Sequence, residues 1–350
     1  MMQPCGVRNT GYAQQLSIVR TPLQWVYLIA ALILAFCLPL FASSYFMTFM
    51  VYLGITIISA LGLMLLSGYC GQFSMGHAAF MMVGAFTTAN LNASGINFFI
   101  ALILGGIVAA AVGVVFGLPS GKVKDFYLIL STLAAQFIIT YVIVGWFKGD
   151  VGVHIPAVKV GNWTLAHAEG YWYLVLVVLI LMTFFAKSIT RTKVGRAFIA
   201  VRDNDIAAEA MGINTYGYKL LAFAVGCFYA GVAGGLWAGF INFATVDHYS
   251  LFDSIWYLAI VFVGGVGTIT GVFFGSIFIR GLKEIAYVVS PLIGNLLPPS
   301  NPFAEGITLS LPYFLFGIIL AVFIIFEPRG LAHRWELLKA SGRLWPWGYW

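Results

Sequence analysis

"FMTFMVYLGITIISALGLMLL", residues Phe46 to Leu66, carries no charged side chain and decides the class of fold. Two further apolar runs extend from Gln24 to Ala42 and from Tyr171 to Ala186. Each run is about as long as a helix needs to cross a hydrocarbon core of roughly 30 Å. Because an unpaired backbone amide is costly in lipid, the runs are predicted to be helices that span a membrane.

The composition of the whole chain agrees with this class. Of the 350 residues, 61% are hydrophobic and only 9% are charged, and the mean hydropathy is +0.96. A soluble domain would carry roughly a quarter charged residues. The four cysteines (Cys5, Cys37, Cys70 and Cys227) form no CxxC pair, so neither a metal site nor a disulfide framework is predicted. The net charge of +6 fits basic cytoplasmic loops better than nucleic-acid binding.

Ten apolar segments can be placed along the chain, centred near residues 33, 57, 82, 107, 137, 178, 230, 259, 278 and 317. With the amino terminus in the cytoplasm, every basic cluster falls on the cytoplasmic side, as the positive-inside rule requires. The sequence therefore predicts an all-α polytopic membrane protein with about ten transmembrane helices. The predicted parts are a cytoplasmic tail (residues 1–23), a transmembrane domain (24–328) that includes a charged cytoplasmic loop (187–217), and a second cytoplasmic tail (329–350).

The charged loop lies between the sixth and seventh segments. Eight of the thirty charged residues lie between Lys187 and Glu209. Within the loop, "RDNDIAAEAMGIN" predicts a short helix that Asp203 or Asp205 caps and that Gly212 ends in the left-handed conformation. One face of this helix would be apolar: Ile206, Ala207, Ala210 and Met211. A helix of two turns is unstable alone in water, so it should dock either on its own membrane domain or on a cytoplasmic partner.

Two glycine-rich stretches could suggest nucleotide binding, but neither has the required spacing. "GLPSGKV" (Gly117 to Val123) has three rather than four residues between its glycines and lacks the Ser or Thr that would hold magnesium. "GVGTITG" has Thr270 where a dinucleotide motif needs its third glycine. The chain is therefore predicted to bind no cofactor. No paired carboxylates or nucleophile–base motif indicates an enzyme.

If the protein moves a solute, its energy source must lie either in this chain or in a partner. A proton-driven transporter commonly places acidic or histidine side chains in mid-membrane, whereas His77 is the one plausible titrating residue in mid-segment here. An external ATPase therefore accounts better for the sequence than a proton gradient does.

Several stretches together resemble a known family. They are Gly195 to Leu236, which includes the end of the charged loop, Ser67 to Phe86 ("SGYCGQFSMGHAAFMMVGAF"), Phe116 to Leu133, Tyr257 to Ile279, and "FEPRGL" (Phe326 to Leu331). In these motifs the chain resembles the branched-chain amino acid ABC-importer permeases of the LivM type. The resemblance extends over most of the chain after the first helix.

The resemblance implies a permease subunit that moves small amino acids, branched-chain ones above all, across a bacterial inner membrane. It also implies four partners: a second homologous permease, two cytoplasmic subunits that use ATP, and an extracytoplasmic solute-binding protein. The family's Glu-Ala-x-Gly segment, matched by Glu209, Ala210 and Gly212, is expected to sit in a groove of the ATPase. With these, the predicted coupling residues are Arg202, Asp203 and Asp205. Two alternatives remain: a stand-alone carrier or channel, and an importer of urea, amides or aromatic acids.

A second group of polar residues lies among small residues in "GQFSMGHAAF" and "GGVGTITG". These residues, Gln72, Ser74, His77 and Thr268, are candidates for the translocation pathway. Close helix packing explains the first stretch more simply, because small residues let backbones approach and polar groups bond across the interface. The alternative is a broken helix that lines the pathway. His77 is not expected to bind a metal, because no second ligand lies near it in the sequence.

Overall fold

The computed structural model describes residues 22–121, 126–147, 151–160, 163–164, 167–294, 303–327 and 329–344. Most of the predicted amino-terminal tail, and residues 345–350 of the predicted carboxy-terminal tail, lie outside this set. The helices, numbered along the described residues, are α1 (Pro22–Phe41), α2 (Ser44–Leu63), a π-helix (Met64–Tyr69), α3 (His77–Ala93), α4 (Phe98–Gly117), α5 (Phe126–Phe147), α6 (Ala168–Arg191), α7 (Lys193–Asp203), α8 (Asp205–Ala210), α9 (Thr215–Ile241), α10 (Leu251–Gly264), α11 (Ile269–Gly294), α12 (Phe303–Phe326) and α13 (Leu331–Leu344).

Strands contribute little to the fold. Val153–His154 pairs antiparallel with Phe243–Ala244, and Lys159–Val160 pairs antiparallel with Trp163–Thr164. Short 3-10 helices follow α4, at Leu118–Gly121, and precede α10, at Val246–His248. The protein is thus an all-α polytopic membrane protein in which the strands only tie loops together.

Each of the ten predicted segment centres lies within a helix. Of the described helices, five are long and apolar enough to cross a membrane, and a sixth span results if Tyr313–Phe326 and Leu331–Ala340, bent by 44°, form one. The other helices are shorter or more polar: α10 has 14 residues, which at 1.5 Å per residue covers only about 21 Å. The count of ten spans therefore stays a prediction.

Helix α9 lies at the centre of the bundle, where it packs on α2, α3 and α4. Its glycines let the backbones approach closely. A Cβ atom added at Gly84 of α3 would lie 2.3 Å from the Cα of Gly231, and one at Gly234 would lie 1.9 Å from the carbonyl oxygen of Met81. Such spacing leaves no room for a methyl group. Small residues thus bring these helices together, which is the usual basis of helix association in membranes.

We predict that Gly84→Ala destabilises the protein, because its methyl group would overlap the backbone of Gly231. Overpacking of this kind costs about 1–3 kcal/mol. Gly145→Ala in α5 is the matched control, since nothing lies within 4 Å of its added Cβ atom. Thermal unfolding in detergent should show a melting temperature several degrees lower for Gly84→Ala only. Equal melting temperatures for the two variants would contradict this packing.

Candidate functional site

The charged loop forms two helices, α7 and α8, and α7 fixes it to the membrane bundle. Phe198 and Val201 of α7 are buried, and α7 packs on α6, α9 and the π-helix. This packing follows from the sequence, because α7 places its apolar residues on one side and its basic residues on the other. The loop is therefore positioned rigidly against the bundle.

Helix α8 begins at a different cap from the one predicted. The side chain of Asn204, not Asp203 or Asp205, accepts a hydrogen bond from the backbone N–H of Ala207, at 3.0 Å. The predicted cap is wrong because both carboxylates have other partners. Asp203 accepts two bonds from the guanidinium of the preceding Arg202, at 3.0 and 2.9 Å, and Asp205 pairs with Lys219, at 3.4 Å.

The predicted end of α8 is confirmed. Gly212 follows the helix with φ +82°, in the left-handed region that favours glycine. Its N–H bonds to the carbonyl oxygen of Glu209 at 2.9 Å, which closes the last turn. Nothing lies within 4 Å of a Cβ atom added at Gly212. The residue is thus required by the backbone conformation and not by lack of space.

The apolar face of α8 points away from the bundle. The side chains of Ile206 and Met211 are 71% and 83% exposed, and Ala207, Glu209 and Ala210 are also exposed. Only Ala208 of this helix is buried. Within the described residues, the face does not dock on the chain's own membrane domain, the first of the two alternatives for it.

Arg202 joins the charged loop to two breaks in the membrane helices, one at residues 70–76, after the π-helix, and one at residues 265–268, between α10 and α11. Its Nη1 donates a hydrogen bond of 3.0 Å to the carbonyl oxygen of Gly68, in the last turn of the π-helix. A Cβ atom added at Gly267 would lie 3.0 Å from the same Nη1, and one at Gly68 would lie 2.9 Å from the backbone nitrogen of Gly267. The loop therefore touches the point where the two breaks in the membrane helices meet.

Helix α3 begins inside the protein, after the non-helical residues 70–76. Polar side chains from other helices bind its first amide groups, and the N–H of Ala79 also bonds to the carbonyl oxygen of the preceding Gly76 at 3.1 Å. The N–H of Ala78 donates to Ser254 Oγ and that of Ala79 to Gln136 Oε1, each at 2.9 Å. Just before the helix, the N–H of Met75 donates to Thr132 Oγ1 at 3.0 Å.

Sequence reasoning missed Thr132, Gln136 and Ser254. The signal for them was single polar residues in otherwise apolar helices, which are costly in a membrane unless they have partners. The membrane helix is thus broken before α3. Side chains of the protein itself accept hydrogen bonds from the backbone N–H groups that a solute would need there.

The candidate pathway residues differ in their surroundings. His77 Nε2 lies 3.0 Å from the carbonyl oxygen of Ser59, Ser74 Oγ lies 3.4 Å from the N–H of Gly76, and Thr268 donates to the carbonyl oxygen of Gly265 at 2.8 Å. The side-chain amide of Gln72 is buried, and neither its oxygen nor its nitrogen has a partner within the described residues. Of the four, Gln72 is the residue with polar atoms still available.

Metal binding has no support in the part of the chain that the structure describes. There, no group of three or more His, Cys, Asp or Glu side chains is arranged to hold a metal ion.

A family comparison accounts for this arrangement. The family model described as branched-chain amino acid transport system, permease component, matches residues 45–325 of the 350. The chain belongs to this permease family. The matched region contains the breaks before α3 and α11 as well as the charged loop.

Two curated relatives support the assignment. The high-affinity branched-chain amino acid transport system permease protein LivM of Escherichia coli K12 is 28% identical to this permease over 336 residues, which cover 88% of this chain and 75% of LivM. The corresponding LivH protein of the same organism is 25% identical over 253 residues, 64% of this chain and 79% of LivH. No solved structure matches the permease.

We predict that Gln136→Leu destabilises the permease. The substitution leaves the carbonyl oxygen of Tyr249 without the donor that Gln136 supplies, and the N–H of Ala79 keeps only its 3.1 Å bond to the carbonyl oxygen of Gly76. Each unsatisfied buried group costs about 1–3 kcal/mol. The melting temperature in lipid nanodiscs should fall by several degrees. Ser94→Ala is the control, because Ser94 is exposed and bonds only within its own turn; a fall of equal size there would contradict the role of Gln136.

Proposed function

We propose that this chain is one permease subunit of an ATP-driven importer of branched-chain amino acids in a bacterial inner membrane. The family match and the names of LivM and LivH support this substrate class. The even number of ten spans that the basic residues favour would place both termini and the charged loop in the cytoplasm.

The importer would have four other subunits. Because the chain resembles both LivM and LivH, which are separate permease proteins in one organism, the proposed partner in the membrane is a second, homologous permease. The permease carries no phosphate-binding loop, so two cytoplasmic subunits would bind and hydrolyse ATP. A solute-binding protein would deliver the amino acid on the outer side.

The exposed apolar face of α8 is the observation that carries the coupling role. A helix of six residues gains little stability of its own. No other part of the described residues buries its apolar side chains. An ATPase groove would bury Ile206 and Met211 and would place Glu209 at an ionic contact. The permease would thereby acquire the contact through which ATP binding acts.

Coupling further requires that the ATPase contact differ between two states of the importer, since a ligand shifts an equilibrium only by its differential affinity. A displacement of α8 would move α7, because only Asn204 separates the two helices. Arg202 at the end of α7 holds the carbonyl oxygen of Gly68, beside Gly267. Motion of the loop would therefore reach both helix breaks, where a few residues without helical hydrogen bonds can act as hinges.

We predict that Gly212→Val lowers ATP-dependent uptake of L-leucine about 5- to 30-fold in vesicles that contain all subunits. A branched residue at φ +82° costs about 1–2 kcal/mol, and such an energy changes the population of the docked helix by a factor of about 5–30. Binding of leucine to the solute-binding protein should not change, because that site lies on another protein.

The matched control is Gly95→Val. Gly95 also has a positive φ, +90°, and nothing lies within 4 Å of its added Cβ atom, but it lies in the turn between α3 and α4. Uptake by this variant should stay within twofold of the unmodified importer. If both variants lost uptake equally, or if Gly212→Val kept full uptake, α8 would not be the coupling element.

A further inference from the structure

A small cavity lies among α2, α9, α10 and α11, at a distance from the charged loop. Its volume is about 40 Å³, and its polar lining includes Trp237, Asp253, Arg280 and Lys283. One water needs about 10–15 Å³ of such space, so the cavity can hold a few waters or one carboxylate group.

Two hydrogen-bond donors in the cavity lining have no acceptor. They are Nε of Arg280 and Nε1 of Trp237, both buried and without a partner in the part of the chain that the structure describes. Buried donors are nearly always bonded, and each exception calls for an explanation. Two such donors that line one cavity indicate an acceptor that enters it.

The charge of Arg280 indicates which acceptor. The guanidinium carbon lies 4.7 Å from the ring centre of Tyr52 and 6.0 Å from that of Trp237, so aromatic faces support the cation. Among the described ion pairs none includes Arg280; the nearby Asp253 pairs with Lys283 at 3.8 Å. A cation without a carboxylate partner inside a membrane bundle is expensive and usually marks a working site.

The acidic groups at and near the cavity have partners other than Arg280. One oxygen of Asp253 accepts bonds from the N–H and the hydroxyl of Ser250, at 3.1 and 2.6 Å, in a capping box at the start of α10. The carboxylate of Glu284 accepts a hydrogen bond from the hydroxyl of Tyr45. Neither group neutralises Arg280 in this structure, so the cavity favours an incoming anion.

The cavity lies on the side where a substrate would arrive. Trp237 is close to the carboxyl end of α9, at Ile241, whereas the charged loop precedes the opposite end, at Thr215. At 1.5 Å per residue, the cavity is about 30 Å along α9 from the loop. With the loop in the cytoplasm, Arg280 and Trp237 belong to the outer half of the membrane domain.

We propose that Arg280 and Trp237 form a carboxylate-binding subsite for the transported amino acid. This inference rests on the proposed importer function and identifies where that importer first holds its substrate. The guanidinium and the indole N–H donate to the carboxylate oxygens, and the charge-assisted bond from Arg280 supplies most of the affinity. The cavity admits only this end of leucine in the present conformation, so the apolar side chain stays outside it.

The test uses the two permeases and the two ATPase subunits together in lipid nanodiscs, without the solute-binding protein. Binding is measured by saturation-transfer NMR, which detects weak ligands. The probes are 4-methylpentanoate, which is leucine without its amine, and 3-methylbutylamine, which is leucine without its carboxylate. We expect transfer to L-leucine and to 4-methylpentanoate and at least tenfold less to 3-methylbutylamine. Equal transfer to the two probes, or none to 4-methylpentanoate, would overturn the subsite.

Variants assign the binding to the two donors. Arg280→Met should reduce transfer to 4-methylpentanoate at least tenfold. Trp237→Phe keeps an aromatic ring and removes the N–H, and it should reduce the transfer to 4-methylpentanoate severalfold. This milder variant still tests the subsite if Arg280→Met fails to fold. Lys339→Met is the control, because Lys339 also lies over an aromatic ring, 5.1 Å from the centre of Trp335, but in α13. Unchanged transfer in Arg280→Met and Trp237→Phe would overturn the proposal.

A separate measurement tests the function on which the subsite depends. The unmodified importer, with its binding protein and ATP, should accumulate L-leucine in vesicles. No uptake of any branched-chain amino acid would refute the proposed function itself. If the unmodified importer takes up leucine, the subsite predicts that Arg280→Met loses uptake while ATP hydrolysis stimulated by the loaded binding protein continues. Full uptake by Arg280→Met would refute the subsite alone.

Discussion

In the hydrocarbon core of a membrane, where water is absent, every backbone polar group must find a partner inside the protein, and the rest of this structure depends on that constraint. Continuous helices such as α4 and α9 satisfy it with their own hydrogen bonds. The break before α3 does not, so Gln136 and Ser254 supply acceptors from other helices. An irregular segment at membrane depth is thus stable only within a bundle that closes around it, which the glycine contacts of α9 allow.

The wider rule that buried polar groups need partners applies at both ends of the proposed mechanism, to a backbone carbonyl at one end and to side-chain donors at the other. At one end, the carbonyl oxygen of Gly68 at the close of the π-helix accepts its bond from Arg202 of the charged loop. At the other end, the donors of Arg280 and Trp237 have no acceptor within the described residues. The carbonyl oxygen of Gly68 thus bonds to the loop that would contact the ATPase. The donors of Arg280 and Trp237 would bond to the substrate. The proposed substrate site is therefore marked by buried donors that have no acceptor among the described residues.

The sequence predicted the helix positions well because long apolar runs leave few other structures possible in lipid. The turn at Gly212 was also predictable, since glycine favours its left-handed backbone. The cap of α8 was not, because Asn204 takes that place only when Arg202 and Lys219 engage the neighbouring carboxylates. The roles of Gln136 and Ser254 depend on contacts with residues far away in the chain, which no local pattern reveals. The number of spans could not be fixed either, since α10 is shorter than a membrane is thick.

The central claim is that α8 docks on an ATPase subunit and transmits its cycle. The most direct measurement is disulfide cross-linking of a cysteine at Met211, which is 83% exposed, to cysteines along the groove of the ATPase, in a permease whose native cysteines are replaced by alanine. A strong cross-link is predicted, with a yield that changes between the ATP-bound and nucleotide-free states, and none is predicted from a cysteine at Val151, which is 75% exposed. Absence of any cross-link from Met211 in an importer that still transports leucine, or the same yield from Val151, would contradict it.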